Sequence, residues 1–327
     1  MSATARATAL VADIGGTNAR FAMVDLDDLV VPRFETYPCA NFRSLAEAAA
    51  AFVKDTGARP SAAAFGIAGP VTGHRGVITN LSWTMTTEEL AAATGAKAAL
   101  LVNDFEALAL SVQLLRDADL RQLGGGPAVE RATKGVVGPG TGLGVGGLVW
   151  SASRWMPIPG EGGHTSFAAA SIEEMEILSA VAGRFDHFSN ERVVSGPGLV
   201  NLYICFAARR GIALKERVGA NEITRRALAN EDPVANEALD FFVKALGRVA
   251  GDTALMLGAR GGVYLGGGIP PKIQDALAGP AFRKAFESKG RLTPFLQPIP
   301  VYVILARDAG LRGTGVALRT ALAEGRL

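Results

Sequence analysis

The sequence predicts an α/β protein of two domains built around a duplicated mixed β-sheet core. Three observations carry this. The chain of 327 residues exceeds the usual size of a single hydrophobic core. Strand and helix patterns alternate through the first third. A strand-turn-strand unit rich in Gly and Thr opens the chain and is repeated over Lys134 to Val149.

The elements follow in order. Ala9–Asp13 reads as a strand, Gly15-Gly16-Thr17-Asn18 as a turn, Arg20–Leu26 as a second strand and Phe34–Tyr37 as a third, so a β-meander is expected. Ser44, with Glu47 three residues on, starts a helix to about Lys54, and the strand Ala62–Ile67 ends at Gly69-Pro70. Thr86 and Glu89 start a helix to about Ala93; the strand Ala98–Val102 then leads into a helix from Asn103-Asp104. The repeated unit has its turn at Gly138-Pro139-Gly140-Thr141-Gly142 and its second strand at Gly144–Val149. The C-terminal half is mostly helical. Asp232 and Pro233 start a long helix to Met256 with an inward stripe of Phe242, Leu246 and Val249. Short strands at Gly262–Leu265 and Val301–Leu305 and a final helix from Gly313 complete the chain.

Composition narrows the function. Lys and Arg number 33 against 31 Asp and Glu, a formal net charge of +2 with no long run of one sign, which disfavours nucleic acid and anionic membranes as partners. Two cysteines, Cys39 and Cys205, are too few for a disulfide framework or a four-thiolate zinc site, and a reducing cytoplasm fits. Met1–Thr8 does not read as a signal peptide. The mean hydropathy of +0.23 comes largely from Ala and Val, and no membrane-spanning helix is expected.

Several motifs carry chemistry. In Asp13-Ile14-Gly15-Gly16-Thr17-Asn18 a strand ends in an acid, two glycines let backbone approach a ligand, and a hydroxyl and an amide follow. Backbone N–H groups and Thr17 suit the β/γ-phosphates, and Asp13 suits Mg²⁺ held through water; an ordinary glycine hairpin is the competing reading. No GKS or GKT follows, and the next element is a strand, so neither a Walker A loop nor a dinucleotide fingerprint fits. Gly140, Thr141 and Gly142 offer a second anion-binding turn. Ser195-Gly196-Pro197-Gly198 and Gly266-Gly267-Gly268 offer backbone surfaces for an adenine and ribose, although each alone also reads as a tight turn.

Asp104 is the candidate base for an attacking hydroxyl, with Asn103 bonding a neighbouring hydroxyl; the alternative is that either residue merely caps the helix. A helix N-terminus favours the ionised carboxylate, so a weak base is expected, which a loose phosphoryl-transfer transition state tolerates. Glu161 and His164, on a Gly-Gly loop, suit polyol recognition better than metal ligation, because only three histidines exist and His164 has no partner at helical spacing. Glu191 is either a further sugar acceptor or a surface carboxylate, and His74 and His187 read as surface or loop residues.

Together these segments resemble the bacterial glucokinase family, in the branch without a zinc motif. Val11–Arg20 looks like its first phosphate motif, Leu101–Phe105 its catalytic strand end and Gly138–Gly144 its second phosphate motif. Gly160–His164 and Glu191–Gly198 look like its sugar loops, Tyr264–Ile269 its adenosine motif and Gly313-Thr314-Gly315 its closing segment. The resemblance implies the two-domain actin-like (ribonuclease H-like) ATPase fold, with residues 1–114 plus 306–327 as a small domain, 115–305 as a large one and the active-site cleft between them. It also implies ATP, Mg²⁺ and glucose as ligands, Asp104 as base for the sugar 6-hydroxyl, and Asn103, Glu161, His164 and Glu191 as contacts to the other hydroxyls. Gly15, Gly16, Thr17, Asn18, Gly140, Thr141, Gly142, Gly196, Gly267 and Gly268 then face the nucleotide, and a homodimer is implied.

The chain departs from the pattern in two places. Phe167 is followed by Ala168-Ala169 where Ala-Pro is frequent, and Pro139, lacking an N–H, leaves phosphate contacts to neighbouring amides. Rivals are a kinase for mannose or an N-acetylated sugar, a sugar-sensing regulator and an ATP-dependent chaperone module. Twelve residues before Asp13 are too few for a helix-turn-helix, and a chaperone has no need of clustered Asn103, Asp104, Glu161 and His164.

Overall fold

The computed structural model of the chain describes residues 8–214 and 216–327. Two compact units emerge: one runs to Arg116 and takes in Ala306–Leu327, the other is Asp117–Leu305.

The first unit opens with β1 (Thr8–Ile14), β2 (Asn18–Asp25) and β3 (Glu35–Pro38). Then come α1 (Leu45–Thr56), β4 (Ala62–Ile67), the short strands β5 (Val71–Thr72), β6 (Arg75–Ile78) and β7 (Trp83–Thr86), α2 (Thr87–Thr94), β8 (Ala99–Asn103) and α3 (Asp104–Ser111). Helix α1 begins where Ser44 Oγ accepts from the Glu47 N–H at 3.2 Å, although Glu47 itself turns to the Arg43 N–H. At α2 the reciprocal box is complete, with Thr86 and Glu89 each accepting from the other's backbone N–H. The main sheet has the order β3-β2-β1-β4-β8; β1 is antiparallel to β2, whereas β1, β4 and β8 run parallel. The unbroken apolar stretch Ala9–Ala12 is fully buried, as a central strand covered on both faces requires. Phe21 stacks on Phe52 at 5.5 Å within the core beneath.

The sheet β5-β6-β7 is absent from the sequence reading. Its strands are two to four residues long, so alternation at β6 and β7 covers too few positions to register.

The second unit contains β9 (Leu120–Gln122), β10 (Lys134–Pro139), β11 (Leu143–Ser151), β12 (Arg154–Ile158), α4 (Ile172–Ala182), α5 (Gly196–Arg209), α6 (Ala220–Leu228), α7 (Pro233–Leu257) and β13 (Val263–Leu265). It ends with α8 (Gln274–Ala278), α9 (Pro280–Glu287), α10 (Thr293–Leu296) and β14 (Val301–Ile304). Its sheet order is β12-β11-β10-β13-β14-β9. Two antiparallel pairs followed by two parallel ones repeat the plan of the first unit, so the fold is the duplicated actin-like α/β architecture. Edge strands β9 and β12 were not anticipated. Helix α7 starts as expected, with Asp232 Oδ1 accepting from the Val234 N–H at 2.8 Å, and buries Phe242, Leu246 and Val249 in the main core.

The closing helix, α11 (Ala309–Ala323), returns to the first unit and packs on α3 and β1. It begins at Ala309, not at Gly313. Gly313 lies inside the helix, where a Cβ would run into the Ala107 carbonyl, so this glycine sets the approach of α11 to α3. Among the described residues no helix is long and apolar enough to cross a membrane.

Candidate active site

In the first unit, parallel pairing aligns Ile14 with Ile67 and Ile67 with Asn103, so β1, β4 and β8 deliver their C-terminal residues to one edge. The β1–β2 turn closes through Gly15 N–H to Asn18 O at 3.0 Å, and Thr17 O accepts from the Cys39 N–H at 2.8 Å. Gly16, Thr17 and Asn18 are exposed. The segment is therefore a glycine hairpin in geometry and still presents backbone and hydroxyl groups outward.

Asp13, the penultimate residue of β1, has its side chain 26% exposed, and Arg20, its partner across the ladder, places Nη1 3.4 Å from Oδ2. Burial pushes the Asp13 carboxyl above its usual range, and the Arg20 charge opposes that rise. Gly310, in the first turn of α11, faces the same carboxylate: a Cβ there would stand 2.8 Å from Cγ of Asp13. Sequence reasoning missed both Arg20 and Gly310; strand pairing makes Arg20 legible, whereas Gly310 has no local signal.

Asn103 is the N-cap of α3. Its Oδ1 accepts from the N–H groups of Phe105 (2.9 Å) and Glu106 (3.2 Å), and Nδ2 donates to Gly69 O at 3.2 Å. One amide hydrogen remains for a ligand. Asp104, the first residue of α3, is not the N-cap. Its Oδ1 accepts from the Phe105 N–H at 2.8 Å. The expectation of a weak base is overturned: burial, and then the Asp13 charge, push the Asp104 carboxyl up to about 7 against the opposing pull of backbone N–H groups. A helix terminus contributes about 0.3–1 kcal/mol, whereas burial can move a carboxyl by several units.

In the second unit four segments meet at one end of the sheet. The Gly140–Gly142 turn closes by Gly140 N–H to Gly142 O at 2.8 Å and leaves Thr141 exposed. Gly196 N–H donates to Gly140 O at 2.8 Å, and Gly266 N–H donates to Val137 O at 2.9 Å, bringing Ser195–Gly198 and the triple glycine to that turn. Gly267 requires its residue type: φ is +81°, and a Cβ would meet the Pro139 carbonyl oxygen at 2.6 Å. Gly268 is exposed beside it. Ser195–Gly198 is not the tight turn expected. Ser195 caps α5, its Oγ accepting from the Gly198 N–H at 2.9 Å, and Pro197 fills the first helical turn.

Glu161 forms a bridge with Val145 on β11, and the short turn Gly162–His164 leaves both Glu161 and His164 exposed. Glu191 reaches the same end, its Oε2 accepting from the Leu143 N–H at 2.9 Å. His187 is indeed a surface residue, yet its Nε2 lies 2.8 Å from the His164 carbonyl oxygen, and Asn190 bonds Thr165 through backbone and side chain. These two residues hold the Glu161–His164 loop and carry no sequence signal of their own. The first unit thus offers a raised-pKa carboxylate beside a second acid. The second offers a glycine turn with an exposed threonine hydroxyl, together with the carboxylates of Glu161 and Glu191 and the His164 ring.

A family model described as Glucokinase matches residues 10–321. The glucokinase of Aromatoleum aromaticum is 46% identical over 316 residues, covering 96% of this chain and 95% of that protein. Among solved structures, a glucokinase from an Antarctic psychrotroph superposes with a TM-score of 0.85 at 34% identity, covering 96% of this chain and 99% of that one. The Balamuthia mandrillaris glucokinase, solved in complex with glucose, has a TM-score of 0.82 at 21% identity, covering 98% and 95%. With the family model spanning nearly all of the chain and a relative this similar over its full length, the chain belongs to the glucokinase family.

Proposed function

We propose that this glucokinase transfers the terminal phosphoryl group of ATP to the 6-hydroxyl of glucose, giving glucose 6-phosphate and ADP, with Asp104 accepting the hydroxyl proton. The observation that carries the proton step is the environment of Asp104. A carboxyl titrating near 7 is half ionised at neutral pH, and its conjugate base is far stronger than an ordinary aspartate. Asn103 keeps one amide hydrogen for the sugar, and Glu161, His164 and Glu191 supply acceptors and a ring nitrogen for its other hydroxyls. The Asp13–Asn18 turn and the Gly140–Gly142 turn bind phosphates through backbone N–H groups; Gly196, Gly267 and Gly268 take the nucleoside.

Mg²⁺ fits the donor set. Asp13 is a partly exposed carboxylate near a second carboxylate, and Mg²⁺ favours one or two carboxylates completed by water and phosphate oxygens. When bound it supplies charge neutralisation to the phosphates; Asp13 would hold it through water. Exclusion of water from the bound substrates would protect the phosphoryl group from hydrolysis. The family resemblance supports a homodimer in the cytoplasm.

The deciding experiment is a coupled assay with ATP, Mg²⁺ and glucose on Asp104→Ala. Loss of about 10²- to 10⁴-fold in kcat with the fold retained is expected. Turnover within about tenfold of wild type would remove Asp104 from the proton step.

A further inference from the structure

Arg248, on α7, is an expensive residue for its surroundings. Its side chain is 16% exposed and its Nη1 donates to Glu174 Oε1 at 2.8 Å. Its Nε and Nη2 are buried without a hydrogen-bond partner. Buried ion pairs are often matched or exceeded in stability by apolar residues of similar volume, and unfilled buried donors add to the cost. Core stability therefore does not account for this guanidinium.

Its contacts do. The guanidinium carbon lies 5.4 Å from the ring centre of Phe167 and 5.8 Å from that of Phe241, so the cation sits against two aromatic faces. Phe167 follows His164 by three residues on the same loop. Glu174, the ion-pair partner, uses Oε2 to accept from the Ala170 N–H at 2.8 Å, at the far end of that loop. One side chain on a 25-residue helix therefore grips the segment twice, through a ring at Phe167 and through a carboxylate at Ala170. From the other side Phe188 O accepts the Phe167 N–H at 3.0 Å, and the two rings meet edge to face. The stretch between His164 and α4 has neither helix nor strand to stiffen it.

We infer that Arg248 is a positioning residue for sugar binding: through Phe167 and Glu174 it fixes the loop that presents Glu161 and His164. The inference rests on the sugar-binding role proposed for that loop. Arg is suited to the task because its planar group stacks on rings while bonding a carboxylate, which lysine cannot reproduce. Displacement of a substrate-orienting group by about 1 Å is enough to cost an enzyme heavily.

The test compares Arg248→Met, Arg248→Lys and His164→Ala in steady-state assays with glucose and ATP varied separately, alongside thermal melting. Arg248→Met is expected to raise the glucose KM about five- to tenfold, to leave the ATP KM within about twofold, and not to lower the melting temperature. Arg248→Lys, which retains the pair with Glu174 but loses the stack, is expected to fall between. If Arg248→Met proves poorly folded, Phe167→Leu removes the ring without touching the charge and is expected to show the same split. A glucose KM unchanged by Arg248→Met, or glucose and ATP KM values rising together, overturns the inference. A glucose KM unchanged by His164→Ala overturns instead the sugar-binding reading of the loop.

Discussion

The Glu191 carboxylate accepts a 2.9 Å hydrogen bond from the backbone N–H of Leu143, the residue that follows the Gly140–Gly142 turn. An acid assigned to the sugar is thus held at the turn assigned to phosphate. Its charge repels a triphosphate approaching the same amides, and engagement of the carboxylate by sugar hydroxyls relieves that conflict. In Glu191→Gln the acceptor remains and the charge is lost. The glucose KM is expected to rise about tenfold, as for loss of a charge-assisted hydrogen bond. Mg–AMPPNP, titrated calorimetrically without sugar, is expected to bind several-fold more tightly. Nucleotide affinity equal to wild type would show that Glu191 exerts no field on the turn.

Asp104 predicts the acid limb of the rate profile. In the proposed proton step the active form is the carboxylate, so a pKa of about 7 in the ligand-free protein predicts that kcat/KM holds level at alkaline pH and falls about tenfold per unit below 7. Part of the rise comes from the Asp13 charge, which is offset when a cation accompanies ATP, so the limb in kcat is expected at lower pH than the limb in kcat/KM. A pH series from about 5.5 to 9 checks this. A kcat/KM unchanged between about 6 and 8 would contradict it.

The same burial makes Asp104 costly to folding at neutral pH. Its folded pKa lies above the unfolded value of 3.8, so the folded chain holds the extra proton between the two values. The cost is therefore absent near pH 4, grows as pH rises and is complete above about 7. The shift corresponds to at most about 4 kcal/mol, and solvent contact reduces this to about 1–3 kcal/mol. Asp104→Asn keeps an acceptor for the Phe105 N–H. It is expected to melt at a higher temperature than wild type at pH 8, with the gain vanishing toward pH 4. A lower melting temperature at pH 8 would refute the account.

Legibility in the sequence followed the number of agreeing local signals. Asp232, Pro233 and the Phe242-Leu246-Val249 stripe define α7 three times over, and Ser44 with Glu47 defines the start of α1. Strands β5, β6 and β7 offer two to four residues each, too few for a period of two to stand out. Ser195-Gly196-Pro197-Gly198 satisfies both turn chemistry and the signature of a capped helix start; the helix prevailed because Ser195 Oγ takes the Gly198 N–H. The meeting of the Asp13 and Asn103 motifs at one sheet edge follows from parallel pairing of β1, β4 and β8, which short motifs at strand ends made legible. The raised pKa of Asp104, the grip of Arg248 on Phe167 and the contact of Gly310 with Asp13 join residues far apart in the chain, so no local pattern announces them.

Gly310 offers the sharpest test of how closely the Asp13 carboxylate is placed. A Cβ there would lie 2.8 Å from Cγ of Asp13 and 2.9 and 3.2 Å from its two oxygens. Relief by moving α11 is blocked, because Gly313 abuts the Ala107 carbonyl and Thr314 Oγ1 donates to Ala12 O at 3.3 Å. The carboxylate must therefore swing. Two energies oppose each other in Gly310→Ala: helix propensity gains about 1 kcal/mol, while overpacking costs about 1–3 kcal/mol. The net change in stability is thus small. Activity has no such compensation if Asp13 holds Mg²⁺ as proposed, since its displacement would then shift the metal and the phosphate it bridges to. Gly310→Ala is expected to lower kcat by about 10- to 100-fold and to raise the Mg²⁺ concentration needed for half-maximal rate, with glucose KM little changed. Wild-type turnover and Mg²⁺ dependence in this variant would show that the position of the carboxylate is not what the closing helix protects.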